Sequence, residues 1–413
     1  MFPRFERPKK DQKPAVNWHY ARPEMAKNQY DSLMSGPSNS VALFGMRRIG
    51  KTQFLYSDLI PYAEKHGDAV VYCSLWADLD SPANAIATAL EALLDKGLSG
   101  KTSAKLSIAA EAAPGIEASF GLEIERDTKP SETSKTDIRR LNELFKRFCE
   151  FRPNQNKLLV IDEIQTIATK KEYYSLCAAL RTFLDIAPDN VKAVFTGSSK
   201  MGLKTMFEFT RSPFYNFASI VNFPLMDRGF ADHLSECLKL ASGREVDTSG
   251  EIWRVFQECG GNAAETVNVV EKALKTGTSD IASIWESRKD DILGFGGYCE
   301  RKWRDFSDAE RLAYLMVSEG RHPYDKAAFE IYEDLDLSRS MMQRAYAFLM
   351  DHSFINETNR ISHQNLKLFD VWFKEQGLDV ESYRLQLKLE RAAGIDEGAE
   401  REGNTDGRDR PRG

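Results

Sequence analysis

The sequence has no pair of cysteines at C-x-x-C spacing, and its six histidines are as scattered as its six cysteines. Cys73, Cys149, Cys177, Cys237, Cys259 and Cys299 therefore read as separate reduced thiols, mostly packed as small apolar groups. Neither a disulfide framework nor a zinc site is expected. No apolar run reaches the roughly 18 residues a membrane-spanning helix needs. The beginning of the chain lacks the apolar core of a signal peptide. These absences lead to the expectation of a soluble, cytoplasmic protein without a membrane partner. There is no large charge excess either: 56 Lys and Arg face 62 Asp and Glu, a formal net charge of −6. That balance gives no overall pull toward nucleic acid or anionic lipid. The 413 residues are 42% hydrophobic and 29% charged, ordinary for two or three globular domains.

One stretch stands out against this plain background. "GMRRIGKT", residues 45–52, follows the apolar run "VALF". Gly45 and Gly50 bracket four residues and lead into Lys51 and Thr52, the G-x-x-x-x-G-K-[ST] pattern. The glycines permit backbone angles that let successive N–H groups turn inward on a phosphate. The helix that follows aims its positive end at the same anion. Gly45, Met46, Arg47, Arg48, Ile49, Gly50, Lys51, Thr52 and Gln53 form the expected nucleotide-contacting loop. Lys51 would reach the β- and γ-phosphates of a nucleotide, and Thr52 would place its hydroxyl on Mg²⁺.

Apolar strands alternate with helical stretches over residues 16–225. "VALFG", "AVVYCSLW" (69–76), "NKLLVIDEIQ" (156–165), "VKAVFTGSS" (191–199) and "IVNFPL" (220–225) read as strands. Helices are expected over 51–65, 82–96, 136–151 and 172–186. This alternation predicts an α/β fold: a parallel sheet with helices on both faces, forming a P-loop core. A β-hairpin inserted at about 104–126 interrupts it, with period-two apolar residues Ile116, Ala118, Phe120, Leu122 and Ile124. An α-helical lid is expected over 226–300: one helix from "DRGFADHL", then two more, divided at Gly260-Gly261 with Asn262 as a cap. Residues 301–380 outline a winged helix. Its candidate recognition helix, near 339–351, is capped by Ser338 and spaced on Met341, Ala345 and Leu349; two strands follow around Asn359-Arg360. Residues 1–15 read as a loose basic tail, and 381–413 as a helix end followed, from 388, by a disordered charged tail.

"LLVIDEIQ" supplies the partner that a phosphate loop needs. Asp162 at a strand end would hold the Mg²⁺ shell. Glu163 would orient or deprotonate the attacking water. Thr196 and Ser198, at the end of the next strand, are either turn formers or hydrogen-bond donors to the γ-phosphate or the water. Arg211 is the candidate cation for the transferred phosphoryl group, acting on its own or a neighbouring subunit's site. Arg47 and Arg48 would contact phosphate, a neighbour or solvent.

Taken in order, "LFGMRRIGKT", "LLVIDEIQT", "VFTGSS" and "SPFY" resemble the archaeal-type P-loop ATPases, a branch near the STAND and AAA+ ATPases. "ISHQNLKLFDVWFKE" is similar to the family's closing segment, so the resemblance covers about residues 16–378. It implies ATP and Mg²⁺ use at Gly45, Gly50, Lys51, Thr52, Asp162 and Glu163. Two departures are present. Where the family often has Gly-Arg after "PFY", this chain has Asn216-Phe217. No arginine of the lid sensor type stands near "GGNAAE".

Several functions remain open on the sequence. One is an ATPase whose turnover moves the lid and winged helix. Another is a slow nucleotide switch for a protein partner or for self-assembly. A third is a DNA-binding ATPase regulator. Residues 301–375 carry 11 Lys and Arg against 13 Asp and Glu. The candidate recognition helix offers Arg339, Gln343 and Arg344 alone, a thin footprint for DNA. A nucleotide kinase is a further alternative, to which "IDE" is less suited than to water activation.

Overall fold

The computed structural model describes residues 16–98, 135–168, 171–352, 354–356, 360–361 and 367–392. The hairpin expected at 104–126, the N-terminal tail, residues 393–413 and Asn359 lie outside these residues.

Five strands form one all-parallel sheet: β1 (Ser40–Phe44), β2 (Ala69–Ser74), β3 (Lys157–Asp162), β4 (Val191–Gly197) and β5 (Ser219–Asn222). Their spatial order is β2-β3-β4-β1-β5. β3 and β4 are buried at every residue, which is why they read as unbroken apolar runs rather than alternating ones. Successive residues still face opposite layers. Leu159 and Ile161 join the core beneath α4 (Pro82–Leu98), α5 (Lys135–Glu150), α6 (Tyr174–Ile186) and α7 (Lys200–Phe207). Leu158 and Val160 join the opposite core with α1 (Pro23–Ser35), α2 (Lys51–Phe54) and α3 (Ile60–Lys65). α2 and α3 are joined through a π turn at Leu55–Leu59, so the single helix expected over 51–65 is locally widened.

Four helices follow, one more than the sequence suggests: α8 (Arg228–Ser242), α9 (Ser249–Glu258), α10 (Ala263–Thr276) and α11 (Ile281–Leu293). Gly277, with φ +72°, ends α10, and Asp280 accepts from the Ser283 N–H to start α11. Their shared core centres on Trp285, which is fully buried and donates through Nε1 to Glu258 at 2.6 Å. Trp285→Ala is expected to lose about 3–5 kcal/mol, read as a fall in the denaturant midpoint followed by circular dichroism.

The C-terminal core gathers α12 (Tyr298–Asp305), α13 (Asp308–Ser318), α14 (Lys326–Asp334), α15 (Arg339–Asp351), α16 (Lys367–Gln376) and α17 (Val380–Ala392). Ile355 and Ile361 form an antiparallel bridge after α15. Two expectations are corrected. Met341 is exposed and Met342 is buried, so the inward spacing of α15 is Met342, Ala345 and Leu349. Residues 388–392 are helical: Val380, Tyr383 and Leu387 bury one face of α17, and Lys388 pairs with Asp334 at 2.6 Å. Among the described residues no helix is long and apolar enough to cross a membrane.

Candidate functional site

Strand register brings the chemistry to one edge of the sheet. Phe44 at the end of β1 pairs with Gly197 of β4 and Asn222 of β5, and Asp162 pairs with Ser74. Ile161 pairs with Phe195, so the next residues, Asp162 and Thr196, stand side by side. The carboxyl ends of β1, β3 and β4 are therefore level, where parallel sheets open their ligand crevice.

The loop after β1 turns as its glycines allow. Gly50 has φ +92°, the left-handed conformation, and caps α2. A Cβ there would also stand 2.8 Å from Met226 Cε. A Cβ at Gly45 would stand 2.5 Å from Ile49 Cδ1. Lys51 is 5% exposed and folds back under the loop, donating to Gly45 O and, at 2.9 Å, to Met46 O. Burial pulls its ammonium down to about 8, against the pull of Glu163 and Asp162 in the other direction.

Asp162 collects three hydroxyls. Thr52 Oγ1 donates to Oδ2 at 2.8 Å, Tyr72 donates to the same oxygen at 3.0 Å, and Thr196 donates to Oδ1. The Thr52 contact joins the loop to β3 across 110 residues of sequence. Burial, then the Asp162 charge, push the Tyr72 phenol far above its usual range, so it stays a donor. Glu163 is 7% exposed and has a left-handed backbone, φ +61°, uncommon for a side-chain-bearing residue. Its Oε2 accepts from Ser198 Oγ at 2.8 Å and from Gln165 Nε2.

No family model matches the chain, and no curated protein does. Solved structures do. The Walker-type ATPase of Pyrococcus abyssi superposes at a TM-score of 0.51 with 17% identity, over 84% of this chain and 94% of that one. The chain has the fold of a Walker-type ATPase. The ORC2 protein of Aeropyrum pernix, in its ADPNP–ADP complexes, gives a TM-score of 0.48 with 14% identity, over 86% of this chain and 93% of that one. Cdc6p of Pyrobaculum aerophilum gives 0.41 with 14% identity, over 90% and 97%.

Within this Walker-type fold, most residues singled out from the sequence meet at one place and three do not. Gln53 is exposed and donates along its own helix to Ser57 at 2.7 Å. Arg47 lies over the Trp76 ring, 5.2 Å from its centroid. Arg211 is exposed, in the stretch between α7 and β5. Among the described residues no hydrogen bond or ion pair joins it to Lys51, Asp162 or Glu163. α7 leaves the carboxyl end of β4 and the chain must return to the start of β5, which carries Arg211 away from the site edge. Arg48 sits in the loop with φ +67°, and its carbonyl accepts from the Ala264 N–H at 3.3 Å, tying the loop to the start of α10.

Four contributors were missed. Arg22 donates to Gly50 O at 2.9 Å and lies over Phe223 and Phe54, 4.5 and 5.1 Å from their ring centroids. Asp58, on the π turn, accepts from His19 Nε2 and from the Arg22 N–H. Tyr72 and Gln165 complete the acid pair's surroundings. Only Gln165 had a visible signal, as the last residue of "DEIQ"; the others sit at unremarkable positions in their segments.

Proposed function

We propose that this protein binds and hydrolyses ATP with Mg²⁺ at the loop of residues 45–53. The observation that carries the reading is the 2.8 Å contact between the Thr52 hydroxyl and the Asp162 carboxylate, beside the buried Lys51. A hard oxygen pair at the mouth of a phosphate loop suits Mg²⁺, which takes one or two protein ligands and fills its shell from phosphates and water. Among the described residues no group of three or more His, Cys, Asp or Glu could hold a metal by itself. The cation would thus arrive with the nucleotide and would neutralise charge on the phosphates. Lys51 would leave the loop carbonyls for the phosphates. Glu163 would accept a proton from water, and Thr196 and Ser198 would hold the two acids in place. This gives the two hydroxyls a role other than those read from sequence, turn formation or contact with the γ-phosphate or the water.

Nucleotide state would be passed on through contacts at the loop's rim. The Arg48 carbonyl meets α10, and Ser199, the cap of α7 next to Ser198, donates to Asp351 at the end of α15. We read residues 226–300 as the lid and 301–380 as the winged helix that move with turnover. Arg211 would act on a neighbouring copy, and the protein would work in the cytoplasm with a protein or self-assembled partner. Phosphate release should require ATP and Mg²⁺ together. Titration of Mg²⁺ alone should give no saturable binding below millimolar, while Mg²⁺ should tighten ATP by about tenfold or more. Calorimetry checks both; release unaffected by EDTA would overturn the reading.

A further inference from the structure

Two donors meet on one oxygen of Glu163. Ser198 Oγ lies 2.8 Å from Oε2, and Gln165 Nε2 donates to the same atom while standing 3.3 Å from Ser198 Oγ. No hydrogen bond to Oε1 is found among the described residues. The other end of the Gln165 amide is different: its Oε1 is buried and has no partner among the described residues. Reversing the amide would set that oxygen against the carboxylate, so the orientation is fixed by charge. The slot is fixed too. A Cβ at Gly197 would stand 2.6 Å from Gln165 Oε1, and one at Gly202 would stand 2.7 Å from Gln165 Cβ. Both glycines keep room for this side chain between the end of β4 and the first turn of α7.

A buried, unpaired amide oxygen costs stability, and a leucine would fill the same slot without it. Packing alone therefore does not account for glutamine here. We propose that Gln165 is a positioning residue that, with Ser198, holds Glu163 by Oε2 and leaves Oε1 to take the proton of the attacking water. The inference rests on the hydrolytic role given above to Glu163. In the step it serves, one water proton passes to Oε1 and the water oxygen bonds the γ-phosphorus. The bond from that phosphorus to the bridging oxygen breaks, its electron pair leaving on ADP.

The test compares wild type, Glu163→Gln, Gln165→Leu and Gln165→Glu. Steady-state phosphate release and equilibrium binding of ATP are measured on each. Gln165→Leu is expected to lower kcat by about tenfold or more with KM for ATP unchanged. Its melting temperature should not fall. Gln165→Glu should lower kcat further, because a second carboxylate repels the first instead of holding it. Wild-type kcat in Gln165→Leu would overturn the proposal. So would a rise in KM in proportion to the loss of kcat/KM, with kcat unchanged, which would mark a binding role. If wild type releases no phosphate, or Glu163→Gln still turns over, the hydrolytic reading itself falls. If Glu163→Gln is inactive and Gln165→Leu is not, only the positioning role falls.

Discussion

Glu163→Gln is expected to stop phosphate release while ATP stays bound. The substitution keeps the shape of the side chain and removes its ability to take a proton. General-base catalysis contributes about 10²–10⁴-fold, so kcat should drop by that factor. Affinity should change little, because Glu163 sits beyond β3 and the loop carbonyls that hold Lys51 are untouched. The left-handed backbone at Glu163, φ +61°, persists only because the sheet on one side and the Ile164–Ile167 turn on the other over-determine it. A glutamine tolerates that conformation as well as glutamate does, so the fold should survive. Single-turnover release and equilibrium binding of ATP, measured on the same protein, separate the two effects. A variant that turns over at the wild-type rate would remove Glu163 from the chemistry.

The second large effect is expected at Lys51. In Lys51→Ala the phosphates lose a charge-assisted donor of about 1.5–3 kcal/mol, so ATP should bind about 10- to 150-fold more weakly. The wild-type affinity should also depend on pH in a defined direction. Burial lowers Lys51 from 10.5 to about 8 in the free protein. Anionic phosphate binds the protonated form, so affinity should be flat below pH 8 and fall toward about tenfold per pH unit above it. Lys51→Ala should lose that slope. Stability runs the other way. The folded value lies below the unfolded one, so the cost of the buried charge is complete below pH 8 and is relieved as pH rises toward 10.5. Nucleotide-free wild type should therefore gain stability relative to Lys51→Ala over that interval. Thermal unfolding of the pair at pH 7 and pH 9.5 measures it, and an equal response of both proteins would deny Lys51 its buried, charge-depressed state.

These two residues were also the most legible. Gly45, Gly50, Lys51 and Thr52 lie within eight residues, and the turn they make depends on local backbone freedom, such as the left-handed conformation at Gly50. Asp162 and Glu163 end an apolar run long enough to be read as a buried strand. The helical region was less legible. α11 was not separated from α10 because the break between them depends on one glycine and one aspartate cap, weak signals beside apolar periodicity. On α15 the choice between Met341 and Met342 was invisible, because adjacent methionines carry the same hydrophobicity and only packing against the C-terminal core separates them.

By itself, the sequence determined the phosphate-type loop, the acidic strand end and the α/β alternation, each set by the chemistry of consecutive residues. The tertiary structure alone decided which side chains answer one another. Thr52 reaches Asp162, Arg22 reaches Gly50, Ser198 and Gln165 share Glu163, and Ser199 meets Asp351. Most of these partners stand at or next to the ends of strands and helices. Their meeting depends on strand order and register, which follow from how whole layers pack and leave no mark on any short stretch of the chain.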